Sequence, residues 1–150
     1  MGDVAISTLP IPLGANGLVI HGNSAYVANT NFGRIVRVPI LANGNAGQPE
    51  VFVEDRQLLG GADGLTVDRT GTLYVTANSA DAIVSVSPAG RITTLASGGI
   101  LQNPASIILW GNDLYITNMA ILKPEGTRMP AVYRLPLAAG PAAPGQMPGK

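Results

Sequence analysis

The chain contains no cysteine. That excludes disulfides, thiolate metal sites and cysteine nucleophiles, and it leaves the redox compartment open. It has one histidine and one tryptophan, and only 12% of its 150 residues are charged. Nine basic residues balance nine acidic ones, so the formal net charge is zero. Nothing electrostatic then favours nucleic acid or an anionic membrane, and neither is expected as a partner. No run approaches the roughly 18 consecutive apolar residues of a membrane-spanning helix. No stretch of about 12 residues keeps an apolar period of 3.6 without a glycine or proline breaking it. The opening MGDVAISTLP has no basic segment leading into an apolar one. No signal peptide is expected there, and the compartment stays undetermined.

What is present points to strands. Hydrophobic residues make up 46% of the chain, which argues against disorder. A chain of this length buries enough surface for one real core. Glycine (19) and proline (12) are about a fifth of the residues, set among Val, Ile, Thr and Ala. Many short elements punctuated by turns follow, an all-β composition.

The chain also repeats itself. NGLVIHGNSAYVAN begins at Asn16, DGLTVDRTGTLYVTAN at Asp63 and ASIILWGNDLYITN at Ala105. The starts lie 47 and 42 residues apart. A period in the forties with strand content is that of a β-propeller blade. The first copy reads as strands at 18–21, 25–28, 35–38 and 50–53. The second reads as 65–67, 73–76, 83–86 and 92–95, and the third as 107–110, 114–117 and 132–135. The expected fold is all-β: a partial propeller over 1–139 with about three four-stranded blades, near 14–60, 61–103 and 104–135. A lone strand at 3–8 is available to complete the third blade, which lacks its fourth strand. Residues 140–150, rich in Pro, Gly and Ala, read as a disordered tail.

Four segments carry a resemblance: Ala15-Asn16-Gly17-Leu18, Gly61-Ala62-Asp63-Gly64-Leu65, Leu73-Tyr74-Val75 and Gly90-Arg91-Ile92. With them the chain resembles the gluconolactonase and regucalcin-like family of six-bladed propellers, over the C-terminal half of the family's usual length. The resemblance implies a metal-dependent hydrolase of lactones or related esters, with a small-molecule lactone as substrate. It also implies one divalent cation, often calcium, on the propeller axis. In the family its ligands are a glutamate of an early blade, the asparagine of an Asn-Gly pair and the aspartate of an Asp-Gly pair. Asn16 and Asp63 match the last two, and Asp63 also matches the proposed general base. Oxygen donors of this kind suit a hard cation, and such a metal polarises a carbonyl and activates water. The early glutamate has no counterpart, and Ala105 stands where the third copy would offer a ligand.

Each residue also has a plainer reading. Asn and Asp before Gly are ordinary turn formers. Tyr26, Tyr74 and Tyr115 recur on second strands and read as blade packing. His21, beside a Gly-Asn turn, reads as an exposed hairpin residue rather than a base. Asn29, Asn78 and Asn118 either cap the second strands or line an axial pocket. Ser106 and Thr117 have no neighbouring base and take no nucleophilic role. The segment 119–130, with Lys123, Glu125 and Arg128, is a solvated insertion or a cover over a pocket. The alternative function is a non-catalytic propeller part of the NHL kind, acting as a scaffold. Three blades leave two open flanks, so a homodimer completing the ring is a further expectation.

Overall fold

Three antiparallel sheets follow one another along the chain in a computed structural model that describes residues 14–137. The expected strand at 3–8 and the tail at 140–150 lie outside the described residues. The first sheet holds β1 (Ala15–His21), β2 (Ser24–Asn29), β3 (Arg34–Pro39) and β4 (Glu50–Glu54), in that order. The second holds β5 (Ala62–Val67), β6 (Leu73–Ala77), β7 (Ala82–Val86) and β8 (Ile92–Ser97). The third holds β9 (Pro104–Trp110), β10 (Asp113–Asn118) and β11 (Ala131–Pro136). A single 3-10 turn, Asn78–Ala80, is the only helical element among the described residues. Within each sheet every strand pairs with the next in sequence, the meander of a propeller blade. The fold is therefore all-β, a partial propeller.

The turns explain the meander. Gly22-Asn23 joins β1 to β2 and Gly111-Asn112 joins β9 to β10, each a two-residue loop. Gly22 and Gly111 have φ of 56° and 61°. A left-handed first turn residue matches the twist of the flanking strands, and glycine adopts it without a Cβ clash.

The innermost strands begin earlier than their apolar runs suggest. In β1 the pairing jumps from Ala15↔Asn29 to Leu18↔Val27, and in β5 from Ala62↔Ala77 to Leu65↔Val75. In β9 it jumps from Pro104↔Asn118 to Ile107↔Ile116. The same bulge thus sits at Asn16-Gly17, Asp63-Gly64 and Ala105-Ser106, and it carries the ladder past the residues that looked like turns. A bulge re-aims side chains and sharpens strand twist.

Between sheets the packing is close at the inner strands. A Cβ on Gly17 would stand 2.2 Å from the Asp63 carbonyl oxygen, and one on Gly64 2.4 Å from that of Ala105. Glycine is required there because β1 lies against β5, and β5 against β9. Further out, Leu65, Leu73, Val75, Val84 and Val86 of the second sheet pack with Ala28 and Ile35 of the first. The opposite face of the second sheet, with Tyr74 and Ile83, packs with Ile107, Leu114 and Ile116 of the third. Each of the Val, Leu and Ile side chains among them contributes about 1.5–3 kcal/mol on full burial. The two cores hold the inner strands in an arc and place their N-terminal ends side by side.

Candidate functional site

Asn16 and Asp63 occupy the same bulge in adjacent sheets, and their side chains meet. Asp63 accepts hydrogen bonds from the side chains of Asn16 and Asn78. Burial pushes its carboxyl above the ordinary value, and the two amide hydrogen bonds only partly offset this. Asn16 also donates through Nδ2 to the Thr30 hydroxyl at 3.2 Å, and that hydroxyl donates to the Ala62 carbonyl oxygen at 2.8 Å. Asn16 is exposed and Asp63 half-buried.

The strand register shows why Thr30 and Asn78 belong here. Ala15 faces Asn29 across the first sheet, and Ala62 faces Ala77 across the second. Thr30 and Asn78 each follow those partners by one residue, so they stand at equivalent positions beside the two bulges. The three asparagines that look alike in sequence therefore divide. Asn29 accepts from the Phe32 amide at 3.2 Å. Asn118 accepts from the Gln102 amide at 3.2 Å and donates to the Ile100 carbonyl at 2.6 Å. Both of these cap strand ends. Asn78 turns toward Asp63, because the second copy carries one extra residue, Ala77, before its asparagine. That extra residue was the signal in the sequence, and Thr30 had none.

Beneath the pair lies a second polar bridge. The Thr76 hydroxyl accepts from the Gly64 amide at 2.8 Å and donates to the Ala105 carbonyl at 2.6 Å, linking the second inner strand to the third. It is fully buried, and it fixes the bulge that carries Asp63.

The other residues singled out in the sequence lie elsewhere. His21 ends β1 at the far end from Asn16, with its ring against Gly71 of the next sheet. Tyr26 meets Phe52 edge to face at 5.3 Å, and Tyr74 donates to Asp68 Oδ2 at 3.3 Å. Thr117 accepts from the Ser106 amide at 2.9 Å. The segment 119–130 is tied down rather than loose. Lys123 pairs with Asp81, the Leu122 amide donates to Asn103 Oδ1 at 3.1 Å, and the Met129 amide donates to Gln102 Oε1 at 2.8 Å. A cleft of about 620 Å³ opens at the opposite end of the sheets, lined by Asp68, Thr70, Tyr74, Leu109 and Asn112 among others. Its carboxylate is already engaged: Asp68 Oδ1 accepts from the Thr70 and Thr72 amides at 2.8 and 3.0 Å.

Chemically, the pair at the inner strand ends is an oxygen site. Among the described residues no three His, Cys, Asp or Glu side chains gather into a metal-ligand cluster. The ion pairs of the described residues use Glu50, Glu54, Asp81 and Asp113, not Asp63. A carboxylate beside side-chain amides, with no cationic partner among the described residues, is a set of oxygen donors of the kind a hard divalent ion takes.

Comparison with known proteins agrees with the fold. The profile of the SMP-30/Gluconolactonase/LRE-like region matches residues 13–120. The chain belongs to this family. No curated protein sequence matches it at a significant level. Among solved structures it is similar to regucalcin, a calcium-binding protein from Agrobacterium tumefaciens, with a TM-score of 0.67 at 21% identity. That match covers 81% of this chain and 45% of regucalcin. It is also similar to a gluconolactonase from Xanthomonas campestris, with a TM-score of 0.63 at 20% identity, covering 83% of this chain and 38% of the other. Virginiamycin B lyase from Staphylococcus aureus shares the fold too, with a TM-score of 0.56 at 18% identity over 85% of this chain and 42% of the lyase. The chain thus spans less than half the length of these structures. Their likeness establishes the propeller fold, which serves hydrolase and lyase alike.

Proposed function

We propose that this chain is part of a metal-dependent hydrolase of lactones or related esters, with Asn16 and Asp63 among the ligands of one divalent cation, calcium by the chemistry of the donors. The observation that carries the reading is the Asp63 carboxylate: half-buried, raised above its ordinary value, held by two amides and paired with no cationic side chain among the described residues. A buried charge without a counter-charge is costly, and a divalent ion would compensate it. Family membership and the likeness to regucalcin and gluconolactonase support the same reading. When bound, the cation would supply Lewis-acid polarisation of the substrate carbonyl.

The chain's own residues have distinct tasks in this proposal. Asp63 holds a proton-accepting oxygen at the inner end of β5, in the place of a general base. Asn78 and Asn16 orient the carboxylate by hydrogen bonding. Thr30 orients Asn16. Thr76 fixes the bulge below.

The test is calorimetric titration with calcium, alongside hydrolysis of a simple aldonolactone, for wild type and Asp63→Ala. Loss of the carboxylate is expected to weaken calcium binding about tenfold or more and to remove most turnover. If Asp63→Ala left both unchanged, Asp63 would be a turn former and the scaffold reading would replace the hydrolase.

A further inference from the structure

The three sheets are built on one pattern, so each position has a counterpart in the next sheet. Leu18, Val27 and Val36 of the first sheet align across the ladder, as do Leu65, Val75 and Val84 of the second. In the second sheet that face is buried against the first. In the first sheet the same face is open: Leu18 and Ile20 are each 58% exposed, while Leu65 is 8% exposed. The open face carries Leu18, Ile20, Ala25, Val27, Val36, Val38 and Val51 in register, with the polar row Asn29, Arg34 and Glu54 at its inner end.

The third sheet is open on its opposite face. Ile35, Ile83 and Val132 are counterparts, opposite Ala28, Thr76 and Thr117. Ile35 and Ile83 are fully buried under the next sheet, but Val132 is 68% exposed. Ile108 and Tyr115 pair across this open face, and Trp110, 73% exposed, stands at its edge. One flank therefore repeats the face that sheet two presents to sheet one, and the other repeats the face that sheet two presents to sheet three.

We infer that two copies of this chain join flank to flank, the first sheet of each against the third sheet of the other, and close one ring. Each seam continues an interface that the chain already makes twice within itself. Different flanks meet at each seam, so a two-fold axis makes two equivalent seams and leaves no apolar flank open. Lengths agree with this: the matched stretch fills 45% of the regucalcin chain, so two such stretches make about one ring of that size. One difference between the seam and the internal interfaces lies on the inner strand, at the bulge. Gly17 and Gly64 allow backbone contact with the next sheet, whereas Ser106 carries a Cβ there. The joint is accordingly looser near the axis and depends on Ile108, Trp110 and Val132 further out. The joining rests on the flanks and not on any reaction.

Trp110, the one tryptophan of the chain, reports on the seam directly. The experiment is light scattering of the 150-residue chain across a dilution series, with Trp110 emission read in parallel. The expected result is a species of twice the chain mass whose emission shifts to the red on dilution. Ile20→Asp and Ile108→Asp lie on opposite flanks at exposed positions, so both variants are expected to keep a β-type circular dichroism spectrum and to be monomeric. Milder Ile20→Thr and Ile108→Thr variants are expected to raise the dilution midpoint without changing the spectrum. A wild type that stays monomeric at tens of micromolar overturns the inference. So does a dimer whose Trp110 emission does not follow dilution, or one that survives either aspartate substitution, since that pairing would use one flank only.

Discussion

The second sheet and its two neighbours share a repeat yet live in different surroundings. All five residues of β6 are buried, whereas only Ala28 and Asn29 are buried in β2. Three of the six residues of β10 are buried, in strict alternation. The alternating pattern decides that each strand has two faces. Whether a face is interior depends on a neighbouring sheet. The middle blade is covered twice and the outer blades once, so equal side chains carry unequal energies.

The largest test of that difference compares Leu65 with its counterpart Leu18. Leu65→Ala removes buried surface between two sheets and is expected to cost about 2–5 kcal/mol. Leu18→Ala, at dilutions where the chain is monomeric, is expected to cost less than about 1 kcal/mol. Urea unfolding of both variants gives the comparison, and equal costs would mean that the first sheet's flank is covered within one chain.

Next in size is the polar bridge. Thr76→Val leaves the Gly64 amide and the Ala105 carbonyl without the hydroxyl between them. The expected cost is about 1–3 kcal/mol, with faster exchange of the Gly64 amide hydrogen. Thr117, its counterpart on the open face, serves only the Ser106 amide and is exposed. Thr117→Val should therefore cost clearly less, and an equal cost would deny the middle blade its special place.

Two aspartates of the second sheet give a smaller effect of opposite sign. Burial raises the Asp63 carboxyl above its ordinary value despite its amide partners. Its contribution to stability is present below the ordinary value and is lost as pH rises through the folded one. Without divalent cation, Asp63→Asn is expected to stabilise the chain at neutral pH, and the gain should vanish in acid. At Asp68 burial also opposes the charge, but hydrogen bonds from Thr70, Thr72 and Tyr74 outweigh it and lower the carboxyl. Its contribution is present above the ordinary value and is lost as pH falls through the lower folded one. Asp68→Asn should destabilise at neutral pH and do so less in acid. Thermal unfolding from pH 3 to 7 would read both, roughly bracketing the ordinary carboxylate range.

The smallest expected effect sits at the seam. Ser106→Gly restores the residue that the first and second sheets use at this position and should modestly strengthen association of the chain. A weakened or unchanged association would show that the third sheet's flank does not meet another inner strand.

Much of this architecture was legible in the residues. Strands at 25–28, 73–76 and 114–117 stood out because apolar side chains alternate between turn signals, and the observed strands contain them. Asn16 and Asp63 stood out because each precedes Gly-Leu at the head of a copy. Their contact with each other was not legible, since it depends on sheets one and two lying against each other. The difference between Asn78 and its look-alikes, Asn29 and Asn118, had one signal in the sequence, the extra residue Ala77, because one inserted residue moves a side chain to the other face. The segment 119–130 is solvent-exposed over most of its length, but its anchors, Asp81, Gln102 and Asn103, were not legible because they are distant in sequence.

By itself, then, the amino-acid sequence determined the local terms: where strands begin to alternate, where glycine permits a turn, and how often the unit recurs. Those terms act over a few residues, through backbone sterics and side-chain type. Tertiary structure alone decided which flank is covered, that the Asp63 carboxyl is desolvated and faces two amides, and that Gly17 and Gly64 touch a neighbouring backbone where Ser106 does not. These are properties of one sheet against another. Burial and electrostatics depend on what lies a few ångströms away in space, and the residues there come from other copies of the repeat.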